Sequence, residues 1–238
     1  MEPIIIFEDP YLLVIGKPAG LSTESGTASH PSAERWGVQY LAQQKQEKTG
    51  KNVPNQPYLR AAHRLDRPAS GILVFAKTKS ALTHLMGQFE RREPEKTYWA
   101  ATVQAPPYPN GTLTHWTKKD DSGKKALIFE RDVPDTQMCS LSYKTIKTAV
   151  KNPFEGLDIL PENLLEITLH TGRFHQIRAQ FAHIGCPIIG DTQYGGPEWK
   201  PHAIQLCAIC LKFRHPKSGE EMVVFGNELR SGEQQLLL

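Results

Sequence analysis

Two short stretches of this 238-residue chain carry side chains whose types and spacing could do chemistry. The first is His63-Arg64-Leu65-Asp66-Arg67. A carboxylate between two arginines stays ionised, because opposite charge nearby lowers its pKa. Such an aspartate can serve as nucleophile, as base, or as one half of a surface ion pair at a strand entrance. The second stretch is Leu169-His170-Thr171-Gly172-Arg173-Phe174-His175-Gln176-Ile177-Arg178. On a helix, Arg178 follows Phe174 by four positions and precedes Phe181 by three, so it flanks an apolar stripe rather than opposing it. A cation there either finds an anion, with Asp66 as one candidate, or snorkels outward with its stem on apolar neighbours.

The elements that must position these residues are short. Ile4 to Phe7 and Leu12 to Ile15 read as paired strands around a turn at Glu8-Asp9-Pro10. Residues 22–33 read as loop, 34–48 as a polar helix, and 51–57 as a breaker-rich connection. Gly71 to Ala76 is a continuous apolar run, the mark of a strand covered on both faces. Thr78 can cap a helix in which Ala81, Leu82, Leu85, Met86 and Phe89 recur at helical spacing. Thr97 to Val103 reads as strand, as do segments between Leu127 and Ile146, where Cys139, Leu141 and Tyr143 alternate, and Leu165 to Leu169. A second helix is expected from near Arg173, with Phe174, Ile177, Phe181 and Ile184 on one face and Gly185 as terminator. Two more strands follow around Pro216 to Gly219. Strands outnumber helices and mostly follow one another directly. That predicts an α+β fold, a largely antiparallel mixed β-sheet with helices packed on it, over residues 1–238 as a single domain.

Composition excludes several classes. Hydrophobic residues make up 39% and charged residues 22%, far from a disordered chain. Four cysteines are too few for a disulfide scaffold and fit a reducing, cytoplasmic setting. The opening Met1-Glu2-Pro3 and the break at Glu8 to Pro10 are neither signal peptide nor membrane span. Net charge is only +3, but residues 60–100 and 170–217 each carry a net +4, which leaves −5 for the rest. Two basic segments joined by the fold make a surface for a polyanion, and interleaved aromatics such as Phe89, Tyr98, Phe174 and Tyr194 tilt the reading toward nucleic acid.

Taken together, the motifs resemble those of a known family. His63 to Leu73 resembles the signature around the catalytic aspartate of RluA-type pseudouridine synthases. Thr171 to Arg178, running on to Gly190-Asp191 and Tyr194-Gly195, is similar to that family's later motif. Leu12 to Leu21 resembles its opening segment, and Lys96-Thr97-Tyr98 the motif that supplies its active-site tyrosine. The matches keep the family's order and span roughly residues 8–217. Departures are Gly16, Ala69, Phe174 and Cys207, where the family usually has Asn, Thr or Ser, Thr, and His. About ten residues precede the first motif, so the small RNA-binding domain that many relatives carry there is expected to be absent.

The resemblance implies the pseudouridine synthase fold and isomerisation of uridine in structured RNA, tRNA or rRNA, without cofactor or metal. It implies Asp66, Tyr98 and Arg178 as catalytic residues. Asp66 would attack the sugar or the base, or take a sugar proton to give a glycal. Tyr98 would stack on the extruded uracil, and Arg178 would hold Asp66 ionised. Arg64, Arg67, Arg173, His175 and Leu206 are the expected substrate-binding residues. A cytoplasmic monomer without membrane contact is expected. Cys207-Ala208-Ile209-Cys210 has zinc-ligand spacing but no second pair, and on a strand its cysteines face opposite sides. Two rival readings are a non-catalytic RNA-binding protein of the same fold, acting in RNA folding or ribosome assembly, and a metal-dependent phosphoryl-transfer enzyme or nuclease.

Overall fold

Leu12 to Ile15 and Ile72 to Ala76 are apolar runs in which every side chain is buried, and each makes up most of a strand. They belong to a computed structural model that describes residues 2–24, 30–50, 56–146, 154 and 161–226. The expected connection over 51–57 falls mostly outside those residues. By its contacts the chain forms two units, Met1–Pro94 with Lys212–Leu238, and Glu95–Leu211.

In the first unit β1 (Ile4–Glu8) pairs antiparallel with β2 (Leu12–Lys17), with an irregularity between Ile5 and Phe7. Helix α1 (Ala33–Thr49) starts at Ser32, whose hydroxyl accepts from the Arg35 amide, and stops at Gly50. The short β3 (Arg60–Ala61) and the longer β2 both pair antiparallel with β4 (Ser70–Ala76), in a register that sets Leu12 opposite Ala76 and Lys17 opposite Gly71. Thr78 caps α2 (Lys79–Glu90) as expected, through its hydroxyl and the Ala81 amide. Ala81 and Leu85 are buried, whereas Met86, expected on the same stripe, is exposed.

In the second unit β5 (Glu95–Ala101) is followed by β6 (Asn110–Lys119), β7 (Ala126–Phe129), β8 (Gln137–Thr145) and β9 (Leu164–Leu169). The strands lie in the order β5-β9-β8-β6-β7, every neighbour antiparallel. Cys139, Leu141 and Tyr143 alternate inward along β8, and Phe181 of α3 (Gln176–His183) sets its ring edge-on to Tyr143 at 5.6 Å. Helix α3 begins three residues later than the sequence predicts, because His175 takes a left-handed conformation (φ 49°) that a helix cannot contain. Gly185 stops it as expected, at φ 76°. A 3-10 turn, Thr192–Tyr194, leads to β10 (Leu206–Arg214), which neighbours β5 and whose last residues belong to the first unit, where β11 (Glu221–Phe225) follows. The class is α+β, as expected. Among the described residues no helix is long and apolar enough to cross a membrane.

Candidate active site

Each unit gathers its own share of the motif residues. In the first, the loop that carries Asp66 is pinned on both flanks. Before it, the Thr23 hydroxyl donates to the Leu65 carbonyl (3.0 Å) and accepts from the Leu65 amide (3.1 Å). After it, the Ala69 amide closes a turn onto the Asp66 carbonyl (3.1 Å). Lys17, only 1% exposed, drives its ammonium into this turn. Its Nζ donates to the carbonyls of Ala69 (2.6 Å) and Leu21 (2.8 Å), to Pro18 (3.0 Å) and, more weakly, to Arg67 (3.4 Å). The opening motif thus braces the aspartate motif from fifty residues away. Asp66 itself is half-buried, Leu65 is buried, and Arg64 and Arg67 are exposed. Arg67 reaches back to the Gly20 carbonyl through Nε (3.0 Å). His63 turns inward, accepting from the Val74 amide and lying 5.0 Å from the Phe89 ring.

In the second unit Arg178 is buried at 3% exposure, not snorkelled outward. Its guanidinium grips Asp191, itself 1% exposed, through Nε to Oδ2 (2.7 Å) and Nη2 to Oδ1 (2.9 Å). Nη2 also donates to Gln193 Oε1 (2.8 Å), and the guanidinium lies 5.0 Å over the Tyr194 ring. A bidentate fork of this kind is the geometry in which a buried arginine is tolerated. Asp191 belongs to the later motif, yet its spacing does not mark it as a partner of Arg178, for which the sequence offers Asp66 as candidate. Gly190 makes the approach possible. It sits at φ 90°, and a Cβ there would stand 2.5 Å from the Ala203 carbonyl oxygen.

The loop before α3 is held by Gln176. Its Oε1 accepts from the Thr171 hydroxyl (2.7 Å) and the Arg173 amide (3.0 Å), while its Nε2 donates to the Ser140 carbonyl and to Gln180 Oε1. The loop presents Phe174 stacked on His175 at 3.7 Å, with Lys119 4.8 Å from the Phe174 ring centre. His175 Nδ1 lies 3.0 Å from the Tyr194 hydroxyl, which accepts from the Ala126 amide. Arg173 Nε donates to the Met138 carbonyl. Tyr98 sits buried on β5 opposite Ile167, and its motif neighbour Lys96 packs so close to Gly172 that a Cβ there would be 3.2 Å from the ammonium. Burial pulls the Lys96 pKa below its usual value. Leu206 is buried at the start of β10, and Cys207 beside it is wholly buried. Cys207 and Cys210 stand three apart on this strand, an odd spacing that turns them to opposite faces.

Among the described residues, His115, Glu130 and His183 bring three metal-ligand atoms within 4.8 Å of one another. The hydrogen-bond chain behind His115 decides its state. The Arg173 amide can only donate, which fixes the Gln176 amide and then Gln180, whose Nε2 faces the Leu113 carbonyl and His115 Nδ1. His115 Nδ1 is therefore an acceptor and Nε2 keeps the proton, where a metal would need a lone pair. Burial lowers the His115 pKa; Glu130 opposes this and His183 adds to it. His183 Nε2 is hydrogen-bonded to Glu130 Oε1 (2.5 Å), while His115 Nε2 stands 3.8 Å from it.

Residues 11–183 match the family model described as RNA pseudouridylate synthase. Over 94% of its length the chain is 30% identical to tRNA pseudouridine synthase C of Vibrio parahaemolyticus, covering 91% of that protein. It is 34% identical to the dual-specificity RNA pseudouridine synthase RluA of Haemophilus influenzae, over 93% of this chain and 92% of that one. Its fold is similar to that of human RNA pseudouridylate synthase domain containing 4, with a TM-score of 0.69 at 22% identity, over 99% of this chain and 94% of that one.

Proposed function

Taking as premise that this chain belongs to the RNA pseudouridylate synthase family, we propose that Asp66 is the carboxylate with which it opens the isomerisation of uridine. The protein is an RNA pseudouridine synthase. In its reaction the C1′–N1 glycosidic bond breaks, the uracil turns, and a C1′–C5 bond forms. C5 loses a proton and N1 gains one. Nothing is oxidised and no group is imported, so the chemistry asks for no cofactor.

The observation that carries the assignment is the bracing of the Asp66 loop, with Thr23 on one flank and the buried Lys17 ammonium on the other. A carboxylate that must meet a sugar in one orientation needs its backbone held, and ordinary surface ion pairs are not built this way. In this reading Tyr98 supplies a ring for the extruded base, and Arg178, whose guanidinium Asp191 engages, is the positioned cation of the later motif. Arg64, Arg67, Arg173, His175 and Leu206 contact the RNA. Extruding the base costs a few kcal/mol, which favours loops and weakly paired sites in structured tRNA or rRNA. The protein acts in the cytoplasm as a monomer, with residues 1–238 as one catalytic domain.

Carbodiimide mapping of pseudouridines in tRNA and rRNA from a deletion strain tests this reading. At least one pseudouridine disappears, returns with the wild-type gene, and stays absent with Asp66→Asn. An unchanged map in the deletion strain would overturn it.

A further inference from the structure

We propose that the exposed face of β6, β7 and β8 is a stacking surface for unpaired nucleotides of the RNA substrate, with Trp116 and Phe129 as the stacking pair and Lys118 beside them. The proposal rests on the RNA-substrate reading above. The register places Phe129 of β7 and Met138 of β8 on either side of Trp116, and Leu127 opposite Lys118. The other face carries His115, Cys139, Leu141 and Tyr143 toward α3, so Trp116 and its neighbours point away from the helix. Leu127 and Met138 are 41% and 43% exposed, and Trp116 and Phe129 are partly exposed. The free face of an antiparallel sheet is ordinarily polar. This one is polar farther along, where Thr112 meets Ser142 and Thr114 meets Ser140, and becomes apolar and aromatic only at the Trp116 end.

That end is also where the cations collect. Residues 116–131 hold Lys118, Lys124, Lys125 and Arg131, besides Lys119, whose ammonium turns to the other face over Phe174, against three acids. Two of those acids are engaged locally, Asp120 by the Lys124 and Lys125 amides and Glu130 by His183. Lys118 Nζ lies 5.6 Å from the Phe129 ring centre, and Arg173 donates to the Met138 carbonyl at the border with the motif loop. Flat rings with a lysine beside them, in a basic stretch of chain, match an unstacked base joined to a phosphate. A second copy of the chain fits poorly, because a two-fold contact would set these cations against their own duplicates.

Fluorescence anisotropy with a labelled single-stranded RNA decamer, and with a duplex of equal length, tests the surface on the full chain. Trp116→Ala weakens single-strand binding roughly five- to a hundredfold, the range one stacked base supplies, and leaves duplex binding near wild type. Trp116→Phe keeps most of the affinity, which separates stacking from folding. Lys118→Glu, an outward change that does not touch the core, weakens binding and flattens its salt dependence. In pseudouridine formation Trp116→Ala raises KM far more than it lowers kcat. Wild-type single-strand affinity in both Trp116→Ala and Lys118→Glu overturns the proposal, as does a dimer that Trp116→Ala converts to monomer. Loss of single-strand affinity in these variants, from a wild-type protein that forms no pseudouridine, leaves the surface standing and removes the isomerase reading instead.

Discussion

Lys17 and Arg178 are both buried cations set among motif residues, yet the two units satisfy their donors by different means. Lys17 donates to backbone carbonyls from two chain segments, so its charge stitches backbone to backbone around Asp66. Arg178 donates as a planar fork to one carboxylate, so its charge fixes a side-chain head in place. The contrast follows from the groups themselves. An ammonium is a compact charge with three donors that can point at separate carbonyls, whereas a guanidinium matches two parallel carboxylate oxygens. The first device shapes a loop; the second locks a side chain.

If that contrast holds, breaking each device has a different cost. The largest effect is expected from Asp191→Ala, which leaves Arg178 buried without its carboxylate and destabilises the protein by about 3–5 kcal/mol in urea unfolding. The double variant Arg178→Met, Asp191→Leu recovers most of that stability while remaining inactive. Equal stability of the single and double variants would contradict the ion-pair account. Lys17→Met removes the donors but leaves no buried charge, and is expected to cost about 2 kcal/mol for the carbonyls it orphans. Turnover should fall with it, since the turn after Asp66 loses its brace. A Lys17→Met cost above that of Asp191→Ala would reverse the comparison.

The units should also answer acid at different pH. In the second, burial holds the His115 pKa below 6.5, so the unfolded chain takes up the proton more readily. That contribution to stability is present above pH 6.5 and is lost as pH falls through the folded value. Thermal unfolding between pH 7.5 and 5 should therefore flatten in His115→Asn. In the first, burial raises the Glu8 pKa, but hydrogen bonds from Lys77, Tyr40 and Gln44 and the Lys77 charge outweigh it and bring the net value below 4.5. The contribution is present above pH 4.5 and is lost as pH falls through the folded value. Lys77→Met should lose less stability than wild type between pH 5 and 3, the smallest of these effects because the pair is partly exposed.

Elements with a strong local pattern were legible in the sequence. The runs of β2 and β4 and the capped start of α2 needed only apolar continuity and one threonine. Strand β6 is not legible in the sequence, because the residue types of Asn110-Gly111-Thr112-Leu113-Thr114-His115-Trp116 are mostly polar and show no apolar alternation, although their burial alternates in the fold. The start of α3 was misplaced because nothing local marks His175 for a left-handed backbone. The motifs named the candidate site residues, but not the contacts that hold them. Lys17 at the end of an apolar strand was a visible oddity, while its acceptors lie on a loop fifty residues on. Asp191 and Arg178 meet across a turn where Gly190 passes close to Ala203, which no spacing rule encodes. Gln176 and Gln180 read as ordinary helix residues and turn out to form the buried amide chain behind the motif loop.

The most direct measurement is tritium release from RNA containing 5-³H-uridine by purified wild-type protein and Asp66→Asn, which keeps the size of the side chain and removes its charge. Release by the wild type and none by Asp66→Asn, with RNA affinity retained, is the expected result. Release by Asp66→Asn at the wild-type rate would contradict the assignment of this carboxylate.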